Sequence, residues 1–134
     1  KFHRFNEQGK TIGVFDMEIV DYLIQTVPFF MFGSTPYIYK VGCYHEDRNG
    51  IHLKSHIQKL IFRDCIKVTT IQGIYNLLVS QTQVQKHFSD LNNQPSHWVN
   101  FQNGYFDVME WRLIEHDTRY LMINQIVEQH FIND

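Results

Sequence analysis

From Val14 onward the apolar residues return with the period of a helix. Phe15, Ile19, Tyr22 and Leu23 fall near one face, and Asp16, Glu18, Asp21 and Gln25 lie largely on the other. A helix is therefore expected over Val14 to Gln25, with Asp16 as a candidate cap. The polar stretch before it, Lys1 to Thr11, reads as an entry strand or loop. Phe29 to Phe32 and Tyr37 to Tyr44 are aromatic and β-branched, and Gly33-Ser34-Thr35-Pro36 between them is a turn signal. These runs predict an aromatic hairpin over residues 29–44, with a bulge or bend at Gly42. After the polar turn His45 to Gly50, Leu53, Ile57, Leu60 and Ile61 form the stripe of a second helix, Ile51 to Phe62. His52, His56, Lys59 and Arg63 follow one another along an adjoining face. Thr69 or Thr70 is placed to cap a third helix running to Ser80, with Ile71, Ile74, Tyr75 and Leu78 inward. Gln81 to Leu91 reads as a short fourth helix.

The pattern changes at Asn92-Asn93-Gln94-Pro95-Ser96. Beyond it come short alternating runs, Trp98 to Phe101, Tyr105 to Met109 and Arg112 to Ile114, with Tyr120 to Ile126 as a further strand candidate. Asn103-Gly104 is a hairpin turn signal, because Asn and Gly tolerate the positive φ that tight turns require. The period thus shifts from 3.6 to 2 across Pro95. The expected fold class is α+β: residues 1–94 mainly helical with the hairpin at 29–44, and residues 95–134 a small antiparallel β part.

The 134 residues suit a single domain, and 43% hydrophobic content with 11 Phe and 7 Tyr excludes intrinsic disorder as the main state. A net charge of −2 excludes a basic coat for nucleic acid but leaves room for a local basic patch. Cys43 and Cys65 are too few for a disulfide scaffold, so a reducing, cytoplasmic setting is expected. The longest apolar run, Val27 to Phe32, contains Pro28 and falls far short of the roughly 18–20 residues that cross a bilayer; no membrane partner is expected. A chain opening at Lys1 without Met is expected to be a piece of a longer protein.

The sequence has no phosphate-binding P-loop, no dinucleotide fingerprint, no nucleophile elbow, no His-Glu-x-x-His and no Cys-x-x-Cys. His52 and His56, four apart on a helix, have the spacing of a metal pair, but the third and fourth ligands a stable site needs are not fixed by sequence; no metal is expected. Asp107, Glu110, Glu115, His116 and Asp117 are acid-rich enough to raise a metal-dependent nuclease, without a compact carboxylate signature; solvated turns are the simpler expectation. Lys54, His56, Lys59 and Arg63, extended by Lys67, are the local concentration of positive charge and the candidate DNA contact. The aromatic run Phe29 to Phe32 with Tyr37, Tyr39 and Tyr44 suits a base-stacking platform or, more commonly, sheet core. Trp98, Phe101, Tyr105, Phe106 and Trp111 are expected in the core, any exposed member being a partner anchor.

Two blocks together carry a resemblance. The first is Tyr37-x-Tyr39-x-x-Gly42-x-Tyr44 ahead of a helix. The second is Asn100-x-x-Asn103-Gly104-x-x-Asp107, followed by His116 and Tyr120. Over roughly residues 14–130 the chain resembles the N-terminal accessory domain of poxvirus-type, phage- and plasmid-encoded primase–helicases, which precedes a superfamily-three helicase. Two positions depart from that pattern: Cys43 stands where the family more often has an aliphatic residue, and Glu110-Trp111 replaces a Thr-Gly-type turn. The resemblance implies a non-catalytic domain of a mobile-element replication protein, with no cofactor of its own in this segment. Its partners would be the adjacent helicase domain of the same chain, DNA, and like subunits in a ring. ATPase motifs would lie beyond Asp134 and a primase site before Lys1. A purely structural linker without DNA contact is the alternative.

Overall fold

The computed structural model describes residues 2–126. Within them the chain is α+β, as the change of period implies. It opens with an antiparallel ribbon of β1 (His3–Phe5) and β2 (Thr11–Val14). The Asn6 carboxamide oxygen closes the ribbon by accepting the N–H groups of Gln8 and Lys10 at 3.0 and 2.9 Å.

Three helices, α1 (Asp16–Thr26), α2 (Ile51–Lys59) and α3 (Val68–Ser80), bury a common core. Ile19, Val20, Leu23, Leu53, Ile57, Ile61, Ile74 and Leu78 meet there. Burying side chains of this size stabilises by about 1.5–3 kcal/mol each, which is what holds helices of only 9 to 13 residues in place. The stripes differ from expectation in detail. Phe15 and Tyr22 lie at the exposed margin of α1, and Val20 takes the inward place. Phe15 is itself the N-cap residue of α1, so Asp16 is the first helical residue and caps nothing. Thr69 and Thr70 likewise lie inside the first turn of α3, after Lys67 at the cap.

The expected hairpin is a larger sheet. β3 (Phe29–Phe32), β4 (Thr35–Lys40) and β5 (Cys43–Glu46) form a meander, and β6 (Gln85–Lys86) adds to its β3 edge in parallel. Gly42 is not a bulge within one strand. Val41 and Gly42 are the two residues of a tight β4–β5 turn, with φ of 49° and 81°, the left-handed pair that matches strand twist. Phe29 and Ile38, paired across β3 and β4, pack on the helical core. The opposite face carries Phe30, Tyr37, Tyr39 and Tyr44 in mutual ring contact, with centroids 4.9–5.2 Å apart. The expected fourth helix is broken: Gln85–Lys86 goes to the sheet edge, and α4 is only Phe88–Asn92. Asp90 accepts the His87 N–H at 2.8 Å, which restarts the helix there.

The last sheet is β7 (Trp98–Phe101), β8 (Gly104–Asp107) and β9 (Arg112–Ile114), antiparallel in that order. The turn residues of its first hairpin are Gln102 and Asn103, one position earlier than expected, because Phe101 pairs with Gly104. Residues 115–126 form no strand beyond a single bridge of Ile126 to Phe101. Their polar groups go elsewhere: the Leu121 N–H donates to the Gln94 side chain, and the Met122 carbonyl accepts the Tyr44 N–H. No helix among the described residues is long and apolar enough to cross a membrane.

Candidate nucleic-acid interface

The residues of the two resembling blocks come together where the last sheet meets the β4–β5 turn. Asn100 on β7 is buried. Its amide donates to the carbonyls of Gly42 at 2.9 Å and Asn124 at 3.1 Å. The Asn100 carboxamide oxygen lies 3.0 Å from His116 Nε2, and the Phe101 carbonyl 2.8 Å from the same atom. Both neighbours are acceptors, so His116 carries its proton on Nε2. The His116 ring lies flat against Gly42, where a Cβ would overlap it. Gln125 donates to the Val41 carbonyl at 2.7 Å. Both carbonyls of the strained turn are thus held by side chains from the C-terminal part.

Tyr44 and Tyr105 tie the same joint by donating to the carbonyls of Thr118 at 2.6 Å and Asp117 at 3.0 Å. Burial raises the Tyr44 hydroxyl well above its ordinary pKa and pushes Tyr105 up to about 12. Both remain donors at any physiological pH. Tyr39, raised by burial, packs edge-on to Tyr44, and Tyr120 packs edge-on to Trp98 and Tyr105. Gly104 has φ 151°, and a Cβ there would sit 2.7 Å from the Ile114 carbonyl oxygen. Asn103 is exposed in the adjoining turn.

Asp107 is buried at the far end of β8. One oxygen accepts the N–H groups of Met109 and Glu110 at 2.9 and 3.0 Å, and the other faces Trp98 Nε1 at 3.3 Å. Desolvation opposes its charge, yet these bonds and nearby His97 hold its pKa below the usual carboxylate value. The carboxylate is therefore spent on a turn. Among the described residues no three His, Cys, Asp or Glu side chains are gathered where a metal ion could sit.

Of the four basic candidates, Lys54 and Arg63 are separated from His56 and Lys59. Lys54 is half-buried, with Nζ 4.7 Å from the Tyr75 ring centroid. At 3.6 residues per turn it lies roughly 140° or more around α2 from His56 and Lys59. Arg63 lies beyond the end of α2, in a 3-10 turn over Arg63–Cys65, and is exposed. His56 instead opens into a cavity of about 560 Å³ between α2 and the β4–β5 hairpin. Its wall includes Lys40, His45, His52 and Glu46, with Ile38, Tyr39 and Val41 of the hairpin. His52 is anchored by Asp47, whose Oδ1 lies 3.0 Å from Nδ1 and also accepts the His52 N–H at 2.9 Å. Asp47 Oδ2 accepts the Leu53 N–H at 3.0 Å, so one buried carboxylate starts α2 and orients a histidine. Burial, then the cations of Lys59 and His52, depress the His56 pKa, and Asp47 partly opposes this.

His45 lies near His52 and His56 in sequence with nothing there to fix its approach, and Lys40 carries no sequence signal at all; the fold places both in the cavity wall with His56. The pairing of Ile38 with His45, which aligns the hairpin under α2, depends on the Val41-Gly42 turn. A positive-φ turn at Val-Gly has no strong sequence signature, since a β-branched residue disfavours that conformation. Asp47 was equally hidden: it lies several residues before α2, outside the ordinary cap position. Neither the models of known protein families nor the curated proteins give a match to this chain.

Proposed function

We propose that this chain is a non-catalytic accessory domain of a phage- or plasmid-type DNA primase–helicase, which engages DNA and packs subunits beside the helicase motor during replication. The observation that supports this best is how the resembling residues are used. Asn100, His116, Gly42, Tyr44 and Tyr105 spend their polar groups or their close approach on joining two parts of the fold. A site for chemistry would leave such groups aimed at a ligand. DNA contact falls to exposed cations, among them Lys59, whose charge acts on His56.

Binding is weak on this reading, because the chain is net acidic and only a few phosphates can be neutralised. Titration of a labelled oligonucleotide at several salt concentrations tests it. A log–log slope of about −2 to −3, from two or three phosphate contacts, is the expected result. No binding at low salt would count against DNA engagement. The structural-linker alternative would then gain, and it has an observation of its own: Val108, Met109 and Trp111 are exposed at the β8–β9 turn, Trp111 by 74%. An exposed tryptophan of this kind is a common anchor for a protein partner.

A further inference from the structure

We propose that the cavity between α2 and the β4–β5 hairpin takes one nucleotide unit of a single strand and that His56 in its wall takes up a proton as the phosphate enters. This rests on the DNA reading above and gives it a place and a pH dependence. Three observations carry it. The cavity, at about 560 Å³, lies within the roughly 300–1,000 Å³ typical of small-molecule sites and suits one base with its sugar and phosphate. Its wall is divided by chemistry. Ile38 and Val41 give an apolar flank for a flat base, while Lys40, His45, His52 and His56 supply basic groups. Its frame is fixed, because Asp47 holds the start of α2 and Gln125, itself in the wall, holds the Val41 carbonyl of the hairpin turn.

The charge balance sets the pH dependence. The charged groups facing the histidines are Lys40 from β4, Glu46 from β5, Asp47 before α2, and Lys59 at the end of α2. Two lysines and two carboxylates cancel, so with neutral histidines the cavity has no formal charge to offer a phosphate. A proton gained by His56 adds one positive charge. A bound phosphate opposes the depression that burial and Lys59 impose on His56, and so favours that proton. Binding therefore draws a proton from solvent and strengthens as the pH falls toward the depressed pKa of His56. The same phosphate-and-base chemistry is offered by a free mononucleotide and by a unit within a strand.

The test is fluorescence anisotropy of labelled oligothymidylate against the 134-residue chain at low salt, at about pH 6 and pH 8, with unlabelled competitors. The expected result is binding about tenfold tighter at the lower pH, one proton's worth of linkage. Thymidine monophosphate should compete and thymidine should not. His56→Gln should flatten the pH dependence. Lys40→Glu, on an exposed hairpin end where misfolding is not at issue, should weaken binding at both pH values. Lys54→Glu with Arg63→Glu, both outside the cavity wall, should weaken binding less than Lys40→Glu alone and leave the pH dependence in place. DNA binding that is lost in that double variant and kept in Lys40→Glu would overturn the cavity inference while leaving DNA engagement standing. Binding of a labelled thymidine monophosphate, lost in Lys40→Glu, without oligonucleotide binding would keep the cavity inference and defeat DNA engagement. No binding of either defeats both. Equal competition by inorganic phosphate would overturn the nucleotide-unit assignment.

Discussion

Gly42 and His116 are 74 positions apart in the chain and act as one unit. Gly42 has φ 81°, and a Cβ on it would occupy the space of the His116 ring. Gly42→Ala therefore meets two costs, a left-handed backbone with a side chain and an overpacked contact, together about 2–4 kcal/mol. In a His116→Ala background the second cost is absent, and Gly42→Ala should cost only about 1–2 kcal/mol. Urea denaturation of the four proteins gives the coupling; additive losses would mean that the ring contact carries no energy. Histidines also set the acid limit of the fold. His3 Nε2 accepts the Phe62 N–H at 2.8 Å while its ring stacks on Phe62, so it must be unprotonated there. Burial lowers the pKa of His3, His56 and His116. Their folded pKa values lie below the unfolded value near 6.5, so the unfolded chain binds more protons in between. The stability they contribute is full above about pH 6.5 and is lost as the pH falls through the folded values. The melting temperature, followed by circular dichroism without ligand, should be level from about pH 8 to 7 and drop below about pH 6.5. A level melting temperature down to about pH 5 would contradict this.

At the scale of elements, α2 is the piece on which the candidate interface hangs, and its start is unusual. Gly50 precedes it with φ 66°, packed so closely on the Tyr75 ring that a Cβ would overlap it. Asp47, 1% exposed, supplies the acceptor for two of the first free N–H groups of the helix. Asp47→Ala removes both bonds in a buried place and should destabilise the fold by about 2 kcal/mol or more. Asp47→Asn keeps an acceptor oxygen and should cost less. Guanidinium denaturation of the two variants orders them; equal losses would show that the charge, and not the acceptor geometry, matters there. The β8–β9 turn is the contrasting case. Trp111 takes φ 56° in this turn and lays its ring edge-on to Phe106 at 5.0 Å. A residue that could only be compared with a pattern in the sequence is, in the fold, a strained and exposed aromatic.

At the scale of the molecule, what was legible in the sequence was whatever one element decides alone. The helical stripes of α2 and α3, the strands β3, β7 and β9 and the change of period at Pro95 are local patterns, and all are present. What needed two distant elements was not legible. β6 exists because Gln85–Lys86 finds the free edge of β3, which no local preference states. The stretch Tyr120 to Ile126 has strand-like composition, but its polar groups are claimed by Gln94, Tyr44 and Asn100. The basic face over Lys54, His56, Lys59 and Arg63 was drawn along one helix, whereas Lys54 turns to Tyr75 and His56 to the hairpin. The central claim is that DNA meets this chain at the histidine-lined cavity. Its most direct test is a two-dimensional amide NMR titration of the chain with a short oligothymidylate at about pH 6. Shift changes should concentrate on Ile38 to Glu46 and on His52, His56 and Lys59. Changes confined to Lys54 and Arg63, or to the Val108–Trp111 turn, or no changes at millimolar DNA, would contradict it.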